Sequence, residues 1–114
     1  SDTLLFGLGD GVQLGTSSTP IYTATEKTSI LGLYLCNTSE TMATYINIRA
    51  VKNGDDSGVI NEIIYNYRLA PLETFYFDGN DKFMLGTGDK IEGFSLDNNL
   101  VSCVPVLMRI PLVG

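Results

Sequence analysis

Short apolar runs of β-forming residues, each closed by turn residues, recur along this 114-residue chain. Residues 30–36 end at Asn37-Thr38-Ser39, and residues 45–51 end at a loop carrying Asn53-Gly54, two Asp residues and Ser57-Gly58. Residues 63–69 end at Ala70-Pro71. Leu31, Leu33 and Leu35 form one apolar face, as do Ile46, Ile48 and Ala50 opposite Tyr45, Asn47 and Arg49. A period of two marks half-buried strands, and this spacing of strands and turns predicts an antiparallel sandwich. The expected fold is therefore all-β: one sandwich of about eight strands, jelly-roll-like or immunoglobulin-like, spanning residues 20–110.

The remaining strands follow the same logic. Residues 20–24 give a first strand, and residues 59–69 carry apolar side chains on both faces, which predicts a central strand. Phe75 and Phe77 share one face, residues 83–85 form a short strand, and residues 90–96 form another. In residues 100–110, Leu100, Val104, Val106, Met108 and Ile110 give the expected inner face. Pro105 lacks a ladder donor, so this strand is expected at an edge or with a bulge.

Residues 1–19 differ. Leu4, Leu5, Phe6 and Leu8 are interleaved with glycines, and a dense glycine content raises the entropy of ordering. The segment reads either as an edge strand of its own domain or as an arm docking on a neighbour through those four side chains. The arm is the expectation carried forward, with residues 111–114 as a C-terminal tail.

Composition narrows the function classes. Charged residues make up 18% of the chain, below the roughly 25% of an average soluble protein, which suits either a surface partly covered by other subunits or a neutral surface rich in Ser, Thr and Asn. Net charge is −6 and the seven basic residues are scattered, so neither a phosphate-tracking surface nor an anionic membrane is an expected partner. The chain has no His, which removes His-based triads and metal sites. Asp55, Asp56, Asp78, Asp81 and Asp89 sit in turns, where Asp bonds local backbone. The run from Asp78 to Lys82 places Lys82 where a calcium loop needs an oxygen. No catalytic residue, metal or cofactor is expected.

Cys36 and Cys103 are expected as reduced thiols on the faces opposite their strands' main apolar sets. The sequence shows no signal-peptide pattern, and Ser1-Asp2 is the start expected after removal of an initiator Met. Tyr65 and Tyr67, read as sharing a strand face with Ile63, are the residues available for a partner or a glycan. Without Trp, core or interface is the favoured role for them.

From Pro20 to Ile110 the order of features resembles a group of small tailed-bacteriophage virion proteins. Ile21-Tyr22-Thr23-Ala24 followed by Lys27-Thr28-Ser29-Ile30 is similar to the opening of that group. Leu33-Tyr34-Leu35-Cys36-Asn37-Thr38 resembles its strand ending in Asn and a Ser/Thr turn. The Pro-containing turn at Leu69-Ala70-Pro71-Leu72, the Phe83-Met84-Leu85-Gly86-Thr87-Gly88-Asp89 segment and the closing Val104-Pro105-Val106-Leu107-Met108 are also similar. The resemblance implies a non-enzymatic virion structural protein, assembled in the host cytoplasm. Such a protein docks on capsid or tail subunits, as decoration or head–tail accessory, and forms homo-oligomers. The alternative is a host-recognition module that binds surface glycans.

Overall fold

The computed structural model describes residues 5–79 and 83–110, with the Leu5 side chain outside that description. Among the described residues ten strands follow in order: β1 (Leu5–Leu8), β2 (Val12–Gln13), β3 (Thr19–Thr23), β4 (Lys27–Asn37) and β5 (Thr44–Val51). After one 3-10 turn at Val59–Asn61 come β6 (Glu62–Leu69), β7 (Thr74–Asp78), β8 (Met84–Leu85), β9 (Lys90–Ser95) and β10 (Val101–Ile110). No α-helix occurs among the described residues.

The strands form two antiparallel sheets. The first has the order β1-β10-β4-β7, with β2 continuing β1 along β10 and β8 continuing β7 along β4. The second has the order β3-β9-β5-β6. Joining β1 with β2, and β7 with β8, leaves eight positions in the orders 1-8-3-6 and 2-7-4-5. That is the double Greek key of a jelly roll. Between the sheets lies a core that includes Leu14, Ile30, Leu33, Leu35, Ile46, Ile48, Leu69, Ile91, Val101 and Cys103, each fully buried.

Bulges decide which side chains reach that core. Along β4, Val106 faces Gly32 but Leu107 faces Ile30, so Leu31 has no opposite number. The inward set therefore passes from Leu33 and Leu35 to Ile30, while Leu31 stays half-buried. Gly79 lies against this irregularity, donating to the Leu31 carbonyl at 2.9 Å. A Cβ on Gly79 would stand 2.0 Å from the Ile30 carbonyl oxygen, so only glycine fits. The rest of that turn, Asn80-Asp81-Lys82, lies outside the described residues.

Four expectations are corrected. First, β10 buries Val101, Cys103, Pro105 and Leu107, not Val104, Val106 and Met108. Both alternate sets are apolar, so periodicity does not choose between them. Cys103 accordingly belongs to the core, whereas Cys36 is on the outward, half-buried side of β4.

Second, β10 is an interior strand, although the bulge expected near Pro105 does occur beside it. Third, β6 is an edge strand, with Ile64 buried, Ile63 half-buried and Tyr65 exposed, and it carries one extra residue relative to β5 at each of two irregularities.

Fourth, the N-terminal segment is no separate arm from Leu5 onward. Leu5–Leu8 pairs with Val106–Arg109, and Val12–Gln13 pairs with Ser102–Cys103. Its glycines do not prevent pairing, because β10 supplies a ready-formed template and Leu14 fills the core. Leu4 and residues 111–114 lie outside the described residues.

Candidate interaction face

The register of the first sheet sorts its outward side chains into rows. At one end the row is polar: Gln13, Ser102, Cys36 and Thr74 stand side by side. The next row is Val104, Tyr34 and Tyr76, and the one after it Leu8, Val106, Gly32 and Asp78. The last is Phe6, Met108, Ser29 and Met84. Three successive rows thus carry large apolar or aromatic groups on the face turned away from the core, with Gly32 and the Asp78 carboxylate completing the middle row.

Phe6 and Leu8 are 66% and 71% exposed, and Tyr34, Tyr76 and Met84 are also exposed. Single exposed apolar residues are ordinary, but a contiguous set on one sheet face marks an interaction surface. The face is partly pre-ordered. The Tyr34 and Tyr76 rings lie 4.6 Å apart at 46°, and Tyr76 leans across Gly32, where a Cβ would meet its hydroxyl at 2.1 Å. Tyr76 Oη donates to the Leu31 carbonyl at 3.4 Å. Ser29 Oγ is fully buried between Met108 and Met84 and has no hydrogen-bond partner among the described residues.

The outer face of the second sheet has a different character. Arg49 donates through Nε to Glu62 and through a terminal nitrogen to Ser57 at 3.2 Å, with its guanidinium 4.9 Å from the Phe94 ring centre. Asn47 Nδ2 donates to Glu62 Oε1 at 3.1 Å, and Ser18 Oγ donates to Glu92 Oε2 at 2.8 Å. Lys90 Nζ lies 3.3 Å from Glu92 Oε1 as an ion pair without hydrogen-bond alignment. Charges here are paired laterally, so this face stays wet where the first one is apolar.

The two lateral edges also differ. Between β6 and β7, Tyr67 and Phe75 close the sandwich with ring centres 4.5 Å apart. Between β1 and β3 the sandwich gapes around a cavity of about 410 Å³ lined by Leu8, Gly9, Ile21, Tyr22, Leu107 and Arg109, among others.

Of the side chains expected to make contacts, Phe6 and Leu8 belong to the apolar face, Leu5 contributes a backbone pairing with Arg109, and Leu4 is outside the description. Tyr65 and Tyr67 do not share a surface. Tyr67 faces inward-pointing Ile46 and packs on Phe75, whereas Tyr65, next to inward Ile64, points outward. Sequence reasoning missed Tyr34, Tyr76 and Met84. The signal available was β10 itself, a strand apolar on both faces, whose second face needs a cover.

No cluster of three or more Cys, Asp or Glu side chains suited to a metal exists among the described residues. No helix among them is long and apolar enough to cross a membrane. Comparison with protein-family models, curated proteins and solved structures finds no match for this chain.

Proposed function

We propose that this chain is a non-enzymatic structural protein of a tailed-phage virion, docking on capsid or tail subunits and on copies of itself through the outer face of its first sheet. One observation carries the docking role: three adjacent rows on the outer face of this sheet hold Tyr34, Tyr76, Leu8, Phe6 and Met84 exposed and Val104, Val106 and Met108 half-exposed, with Asp78 at the rim. Each large side chain fully buried there contributes roughly 1.5–3 kcal/mol, enough for a few of them to hold a subunit in a symmetric shell where contacts repeat. The particle itself comes from the resemblance of residues 20–110 to small virion proteins. Two free thiols, one of them in the core, fit assembly in a reducing host cytoplasm.

Mass spectrometry of density-purified phage particles, with immunogold labelling of the intact chain, tests the proposal. The expected result is the chain at fixed stoichiometry on the particle. A chain found only in the unassembled lysate fraction contradicts it.

A further inference from the structure

We infer that the outer face of the second sheet carries a binding site for a neutral saccharide, in the depression formed by Thr16, Tyr45, Asn47, Asn66, Phe94 and Leu96. The depression measures about 270 Å³, close to the lower limit of about 300 Å³ for small-molecule sites, and opens on the sheet face. It lies on the opposite side of the sandwich from the apolar docking face, so its existence does not depend on that role.

Three observations point to a ligand and to its class. Asn47 is 92% buried, and its amide nitrogen is held by Glu62 Oε1 at 3.1 Å. Its Oδ1 accepts no hydrogen bond among the described residues, and Asn47 is one of the residues that line the depression. Asn66 stands in β6 with φ of 52°, at an extra residue between Ile64 and Tyr67 relative to β5. Left-handed residues and bulges inside strands re-aim side chains, and this one brings a second amide to the depression holding Asn47. Tyr45, Phe94 and Leu96 supply apolar surface beside these amides, with the Tyr45 hydroxyl as a further donor and acceptor.

Amide and hydroxyl groups that both donate and accept, set beside aromatic carbon, match a sugar ring with hydroxyls at its rim and C–H groups on its face. The lining contains no charged side chain, so it offers none of the charge-assisted pairs with which Arg or Lys holds a phosphate or carboxylate. A peptide strand is disfavoured as well: it binds by adding to a sheet edge, whereas the depression opens on the sheet face over β5, which β6 and β9 pair on both sides.

The test is a ¹⁵N–¹H NMR titration of the full chain with glucose, galactose, mannose and N-acetylglucosamine. Each is taken to about 100 mM, because a shallow site of this size holds a small sugar weakly. At least one sugar should shift the amide signals of Asn47, Asn66, Phe94 and Leu96 in a saturable manner. Asn66→Gly keeps the left-handed backbone and removes the amide. It should weaken that binding at least about tenfold, as should Tyr45→Ala, with the rest of each spectrum unchanged. Four sugars without a saturable shift overturn the inference. So do shifts that persist in both variants, or shifts at these signals produced by an Ala-Gln-Ala peptide and by none of the sugars.

Discussion

Gly9 donates its backbone N–H to the Pro105 carbonyl at 2.9 Å, in the gap where β1 ends and β2 has not begun. In an extended strand a residue's N–H and C=O point to the same side, so the donor that Pro105 lacks would also face this gap. An interior strand thus accommodates proline because its neighbour is interrupted at that place. The fit is close: a Cβ on Gly9 would stand 2.7 Å from Pro105 Cγ and 3.2 Å from Leu107 Cδ1.

Gly9→Ala should therefore destabilise the fold by about 1–3 kcal/mol through overpacking against a rigid ring. In the Pro105→Ala background the same change should cost clearly less. Urea denaturation of the four proteins measures the coupling, and equal costs in both backgrounds would show that the contact is unimportant.

Removing residues 1–14 should lower the melting temperature by more than about 10 °C, because several kcal/mol are lost from a domain of this size. Leu14 is fully buried and donates its N–H to Val101 at 2.8 Å, and β1 and β2 cover one side of β10. A thermal melt followed by circular dichroism reads the effect. An unchanged midpoint would restore the reading of residues 1–19 as an arm separate from the sandwich.

Much of the strand pattern is legible in the residues themselves. The expected run 45–51 falls within β5 and ends with it, and the faces of Ile46 with Ile48 and of Phe75 with Phe77 are as their alternation implies. What alternation does not reveal is an inserted residue. Leu31 in β4 and Asn66 in β6 each shift the pattern by one position, and nothing local in an Ile-Leu-Gly or Tyr-Asn-Tyr stretch announces it. The apolar outer face of the first sheet was partly hidden for a related reason. Val104, Val106 and Met108 look like core residues, and only the burial of Cys103 and Leu107 behind them shows which way they point.

Asp89 should make the fold sensitive to acid. Its carboxylate accepts the Asn53 N–H at 2.8 Å and the Gly86 N–H at 2.9 Å, and these bonds, led by that from Asn53, hold its pKa below the ordinary aspartate value. A folded-state pKa below the unfolded one adds stability that is fully present above about pH 4. That contribution is lost as pH falls through the depressed folded value. Asp89→Asn should thus be destabilised relative to wild type at pH 7, with the difference shrinking as pH drops below 4. A difference independent of pH would contradict the assignment.

Cys103 should resist alkylation in the folded protein, since burial pushes its pKa up to about 12 and the thiol has no route to solvent. Iodoacetamide at pH 8 should modify Cys36 first, and Cys103 only after denaturant is added. Intact mass and peptide mapping distinguish the two sites, and equal native labelling of both would place Cys103 outside the core.

The most direct check of the docking face is light scattering after size exclusion, on wild type and on Leu8→Glu. Leu8 is exposed, so the change leaves the isolated fold intact while placing a charge among Val106, Phe6 and Met108. Wild type should self-associate as concentration rises, and Leu8→Glu should remain monomeric with an unaltered melting temperature. A wild-type chain that stays monomeric throughout, or a variant that associates equally well, contradicts an interface on this face.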